Sequence, residues 1–226
     1  MLWFKFWLEM RLRALVVLGM VLFALFSVHS QGRLQIRSGA VVLPFFRVLV
    51  PLLLAGSGLR TEPVLQPMRG LHGSTNFTLS LPVSRWRVLA IRACAGLLAI
   101  AAIIFAVCCV AGVFFPEVRV SAGLSGGLIY AATLLLCSCG VYGLSTFFAT
   151  FLELQYQIWA AGLVVFLVKW LVDNLGLPGF IDPFRAMGGL SPLFTHAFPW
   201  AAIGVSLGFG VLFFLAAAMV VQKREY

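Results

Sequence analysis

Apolar residues run through this chain in long unbroken stretches, and polar ones collect in short intervals between them. Six stretches stand out, at residues 14–28, 39–58, 93–115, 121–152, 158–172 and 200–221. A helix needs about 20 apolar residues to cross ~30 Å of hydrocarbon, so the pattern predicts an all-α integral membrane protein with six transmembrane helices. The first stretch is short and is extended towards Gly32. The second is irregular, with Pro44, Arg47 and Pro51 inside it; proline is tolerated in a membrane helix where neighbours re-satisfy the freed carbonyls. The fourth carries no charge over more residues than one span needs, which predicts a long or tilted helix. Residues 116–120 read as a tight turn before it, and Glu153, Gln155 and Gln157 mark its far end.

The intervals have characters of their own. In residues 1–13, helical spacing places Lys5, Glu9 and Arg13 in one charged stripe, with Trp3, Phe4, Trp7, Leu8 and Met10 on the other side. That is the pattern of an interfacial helix with Trp at headgroup depth. A signal peptide is the competing reading, but this start is too aromatic and His29-Ser30-Gln31 is a poor cleavage site. Residues 59–91 form the long polar connection, and within them 73–92 read GSTNFTLSLPVSRWRVLAIR. Pro82 disfavours helix at Leu81, so a short helix over 71–81 ends there. Ser84 then caps the next helix, with Arg85, Arg87 and Arg92 at the headgroups. Residues 174–199 are broken by Pro and Gly every few positions yet stay rich in Phe and Leu. Short re-entrant helices covered by protein fit that composition better than a solvated loop.

Composition sharpens the class. The 226 residues are 62% hydrophobic and 10% charged, with mean hydropathy +1.05, against about 25% charged in a soluble domain. The whole chain, 1–226, reads as one transmembrane domain. The net charge of +9 does not point to nucleic acid, because no long basic face with interleaved aromatics occurs. Of the 16 Lys and Arg residues, ten fall on one side when the N-terminus is placed inside and four on the other. The positive-inside rule then puts both termini in the cytoplasm of a multi-pass inner (plasma) membrane protein that contacts anionic lipid. The sequon at Asn76-Phe77-Thr78 would face the cytoplasm as well. Cys94, Cys108, Cys109, Cys137 and Cys139 all lie in apolar runs, where cysteine acts as a small hydrophobe.

Candidate chemistry is sparse. Neither G-x-x-x-x-G-K-[ST] nor G-x-S-x-G occurs, the three histidines are scattered, and the seven carboxylates sit mostly at span ends. The sequence therefore offers no catalytic residue and no metal ligand set, and the chain reads as a non-enzyme without a cofactor of its own. Arg47 and Lys169 lie inside spans, where a charge costs about 2.5–3.5 kcal/mol on insertion scales, and both are candidates for pathway or lipid contact. Lys169 can snorkel outwards or pair with Asp173 at i+4; Arg47 faces either a central cavity or an anionic headgroup. Gly123 with Gly127, and Gly204 with Gly208, have the G-x-x-x-G spacing of close helix packing.

The segment GSTNFTLSLPVSR at 73–85 resembles the connection after the second span in ABC-2-type transporter permeases, which often read G-[ST]…L-L-x-L-P-V-S-R there. The amphipathic start, the six runs, the broken stretch before the last and the basic tail extend the similarity over nearly the whole chain. Many members carry Glu just after the G-T pair, where this chain has Asn76 and Phe77. The resemblance implies a permease subunit whose 71–81 helix couples to a separate ATP-binding cassette subunit. Coupling contacts would come from Leu71, Ser74, Thr75, Phe77, Leu79, Leu81, Pro82 and Arg85, with the interfacial Trp3, Trp7, Glu9 and Arg13 alongside. It also implies two cassette copies that bind ATP and Mg, and a second permease chain, identical or not. The mostly aromatic and aliphatic outer half, without a large outer domain, points to export of an amphiphilic or lipid-like cargo. The rival readings are an integral membrane enzyme acting on lipid-linked substrates and a non-transporting membrane anchor for a cassette ATPase.

Overall fold

The structure, a computed structural model, describes residues 10–11, 13–23, 26, 43–55, 84–114, 116–176, 178–188 and 191–223. Among them no strand occurs. The helices are α1 (Arg13–Phe23), α2 (Leu43–Leu54), α3 (Arg85–Phe114), α4 (Pro116–Ala149), α5 (Leu154–Asn174), α6 (Pro183–Gly188), α7 (Ser191–Thr195) and α8 (Trp200–Lys223). Among the described residues, four stretches are long and apolar enough to cross a membrane: Trp86–Phe114, Ala122–Ala149, Tyr156–Asn174 and Trp200–Lys223. They fall on the third to sixth runs of the sequence. The first two runs are represented by α1 and the 12-residue α2, which includes Pro51. The 1–9 part of the interfacial helix and the whole 71–81 segment lie outside the described residues.

Local chemistry sets the boundaries. Ser84 accepts the Arg87 amide at 3.4 Å, the N-cap geometry expected from its place after Pro82. Residues 116–120 are helical rather than a tight turn, since Pro116 is preset for the first position of a helix. The break comes later, at Gly123 (φ 66, ψ 178), a backbone conformation essentially reserved for glycine. At the end of α5, Gly176 takes positive φ just past the last turn.

Helix α4 is the hub, touching α2, α3, α5, α6, α7 and α8. The near end of the bundle is where α3 and α5 begin and α4 and α8 finish; the far end holds α6 and α7. The largest apolar cluster joins Val17 and Val21 of α1, Val50 and Leu54 of α2, Ala99, Ile100 and Ile103 of α3, and Tyr142 of α4. Arg92 is buried at 7% exposure, whereas Arg87 is exposed. Helical spacing puts Arg92 on the same face as Leu89, Ala93, Gly96 and Ala99, which pack inwards, so it does not spread into the headgroups as expected.

The most extensive helix contact is between α4 and α8. A Cβ on Gly143 would meet the Gly210 carbonyl oxygen at 2.6 Å, and one on Gly210 would meet the Cys139 oxygen at 2.8 Å. Between them the Ser206 hydroxyl donates to the Cys137 carbonyl at 2.6 Å and accepts the Gly140 amide at 3.0 Å. The paired glycines picked out by G-x-x-x-G spacing do not form this seam: Gly123, Gly127, Gly204 and Gly208 would each meet nothing within 4 Å. Spacing shows that small residues share a face; it does not show which face meets a neighbour. Gly143→Val should therefore force α4 and α8 apart and cost about 1–3 kcal/mol, the range for overpacking, while Gly208→Val should be near neutral. Thermal or SDS unfolding of the two variants in detergent distinguishes them.

Candidate functional site

Two polar clusters stand out in the apolar bundle, one at each end. At the far end Lys169 Nζ lies 2.7 Å from Asp173 Oδ1 and 3.0 Å from Asp182 Oδ2. The i+4 pairing with Asp173 is present, and Asp182 is the partner that the sequence did not reveal. Asp182 is 4% exposed while the Lys169 side chain is 39% exposed. The buried carboxylate thus meets the cation at the rim of the bundle, where part of each charge's hydration survives. Asp182 also accepts the Phe184 amide at 2.8 Å and so caps α6, with Pro183 in the first helical position. One aspartate both starts the short helix and fastens it to α5.

That anchor draws the broken segment into the bundle. Met187 of α6 is buried against Cys137 and Ile203, and Phe184 is packed at the meeting of two apolar clusters. Leu193 of α7 packs with Ala122 and Tyr130 of α4. A Cβ on Gly126 would collide with the Leu193 carbonyl, so that glycine admits α7 against α4. His196, at positive φ (53), places its Nδ1 3.2 Å from Ser125 Oγ. The helices between the two last long spans therefore fold back onto α4 and α8.

At the near end the cluster is neutral. Gln157, in the first turn of α5, donates to the Ala55 carbonyl at 3.0 Å and to Ser145 Oγ at 2.9 Å. Ser145 in turn donates to the Leu52 carbonyl at 3.3 Å. A carbonyl can only accept, which orients the amide with its nitrogen towards Ala55, and both of its N–H groups are used. A helix ends with carbonyls that lack intrahelical donors, and α2 ends here; Gln157 and Ser145 supply those donors. Tyr142, one turn before Ser145, donates to the Ala93 carbonyl at 3.0 Å. Gly96 makes room for that ring, since a Cβ there would collide with the Tyr142 hydroxyl. Net gains from interhelical hydrogen bonds in membranes average ~0.6 kcal/mol, but an orphaned buried acceptor costs about 1–3 kcal/mol. The penalty for breaking these contacts exceeds the reward for making them.

The other residues singled out in sequence fall as follows. Trp3, Trp7, Glu9, Leu71, Ser74, Thr75, Phe77, Leu79, Leu81 and Pro82 lie outside the described residues. Arg13 opens α1 and is half-buried; Arg85 is the first residue of α3, and Arg47 lies within α2. Tyr142, Ser145, Asp182 and Ser206 were not singled out in sequence, and Gln157 was read only as the end marker of a span. Their signal is weak: single polar residues inside apolar runs, and an Asp-Pro pair opening a short helix. Among the described residues, no three His, Cys, Asp or Glu side chains are grouped to hold a metal ion.

No protein-family model, curated protein or solved structure matches the chain.

Lys169→Met would leave the Asp182 carboxylate buried without its cation, and about 1–3 kcal/mol of destabilisation is expected. Asp182→Asn should cost less, because asparagine still caps α6 and Lys169 keeps Asp173. The double variant should recover most of the loss of Lys169→Met, as read from unfolding midpoints in detergent.

Proposed function

We propose that the chain is the transmembrane permease subunit of an ATP-driven transporter of the ABC-2 type, exporting an amphiphilic or lipid-like substrate. A separate cassette subunit binds and hydrolyses ATP with Mg. The observation that supports this reading is the position of the two helices that flank residues 56–83 in the chain. Helix α2 ends and α3 begins at the same end of the bundle, so the residues joining them, with the LPVSR motif, leave and re-enter there. That end also carries Arg87 and Lys223, both exposed, and the positive-inside rule assigns it to the cytoplasm, within reach of a soluble motor.

Two further features support the reading. The broken helices α6 and α7, between the last two long spans, fit the segment that the resemblance places there. On this reading α1 and α2 belong to the first two of six spans. In the proposed mechanism, closure of two cassettes on ATP moves the 71–81 helix, and the spans of two permease chains rearrange around the cargo. Lys169 and its two aspartates then hold the outer broken helices in place, and Arg47 contacts cargo or lipid headgroups in α2.

Affinity purification of the tagged chain from its native membrane should bring down a cassette ATPase. Purification without one, and with no cassette gene beside this one, overturns the reading. In the assembled complex, Leu79→Gln and Leu81→Gln should leave ATP hydrolysis intact while lowering transport about tenfold, the scale of a typical coupling energy. Paired ATPase and vesicle-efflux assays measure both quantities.

A further inference from the structure

Residues 56–83 join α2 to α3 along the chain, and both flanks of that connection are held by α4, the α2 flank by α5 as well. At the α2 root, Gln157 and Ser145 hold the Ala55 and Leu52 carbonyls. In the third turn of α3, Tyr142 holds the Ala93 carbonyl. Tyr142 and Ser145 are one turn apart on α4, and Gln157 bonds to Ser145 across the α4–α5 turn. The turn is itself braced: Thr150 Oγ1 donates to the Phe147 carbonyl at 2.7 Å, and the Leu152 amide donates to the Phe148 carbonyl at 2.9 Å. Apolar contacts are non-directional and let helices slide, whereas hydrogen bonds weaken steeply with misalignment. The α2 root therefore cannot shift relative to α4 and α5, nor α3 relative to α4, without breaking these bonds.

We propose that Tyr142, Ser145 and Gln157 form a transmission joint, positioning residues that pass displacement of the two roots to the α4–α5 turn and along α4. The far half of α4 meets α7 at Gly126 and Leu193, and Ser125 meets His196. A shift of α4 at the near end thus reaches the broken helices at the other. The proposal deepens the permease reading and rests on it, since a cassette subunit supplies the displacement. It differs from a simple helix cap in one respect: the two roots respond together.

The test uses the full-length chain with its cassette subunit in lipid nanodiscs, followed by hydrogen exchange with and without ATP plus orthovanadate. In the native complex, trapping should change exchange at 84–93, at 150–157 and at 183–195. Gln157→Leu and Tyr142→Phe should retain the cassette subunit, ATP hydrolysis and the response at 84–93. Their responses at 150–157 and 183–195 should fall roughly tenfold, the scale set by loss of a buried hydrogen bond. Ser145→Thr, which keeps the hydroxyl, should respond as the native chain does, and Ser206→Ala, outside the joint, should leave the response unchanged. Undiminished responses at 150–157 and 183–195 in both joint variants overturn the joint and leave the permease reading standing. If no cassette subunit accompanies the native chain, the permease reading fails, and the joint is judged by nucleotide-free exchange at 150–157. Non-additive effects of Gln157→Leu and Tyr142→Phe support it, and simple addition overturns it.

Discussion

The close approach of α4 and α8 is the constraint on which the rest of the bundle depends. Lipid tails are as apolar as leucine side chains, so burying hydrocarbon does not by itself hold two membrane helices together. What remains is surface complementarity, and glycine at 143 and 210 lets the two backbones come within van der Waals contact. Ser206 adds two interhelical bonds at the same place. At ~0.6 kcal/mol each, they set register more than they set stability. Once α4 is fixed against α8, its other faces are left to receive α2, α3, α5 and the broken helices.

The second constraint is the shortage of water. Irregular backbone at membrane depth is tolerated only where protein satisfies its polar groups, and the two ends of the bundle meet that demand differently. At the near end neutral side chains donate to the final carbonyls of α2, which avoids placing a charge among apolar neighbours. At the far end a buried aspartate both caps α6 and meets a lysine that is itself partly exposed. The salt bridge sits at the rim, where its desolvation cost is smallest. Each solution uses a residue of α5, which is why that helix can expose Trp159, Leu163, Phe166 and Trp170 to the surroundings and still be tied to the bundle at both ends.

On the permease reading these two anchors have different roles. The far cluster keeps the broken helices seated on α4 and α8. The near cluster joins the roots of the connection that would meet the motor. A device that transmits force needs directional contacts at its joints and an unbroken member between them, and from Leu124 onwards α4 supplies that member. Gly123 interrupts it only at the second residue of the span, at the far end.

Much of this architecture was legible in the chain. Long apolar runs separated by polar intervals dictate membrane helices, because backbone groups in hydrocarbon must bond within their own segment; four such helices stand where the runs lie. Ser84 after Pro82 signalled the start of α3, and the i+4 spacing signalled the Lys169–Asp173 pair. The Pro- and Gly-broken composition of 174–199 signalled short helices covered by protein. The site was less legible. Spacing singled out Gly204 and Gly208, yet Gly143, Gly210 and Ser206 make the seam, because every face of a membrane helix is apolar and the pattern marks no inward side. Gln157 read as the end marker of a span, and Asp182 as one more loop acid. Their roles depend on a carbonyl 102 residues away for Gln157 and on a lysine of another helix for Asp182. Local chemistry settles where a helix starts and stops, but only packing decides which distant backbone group a polar side chain must satisfy.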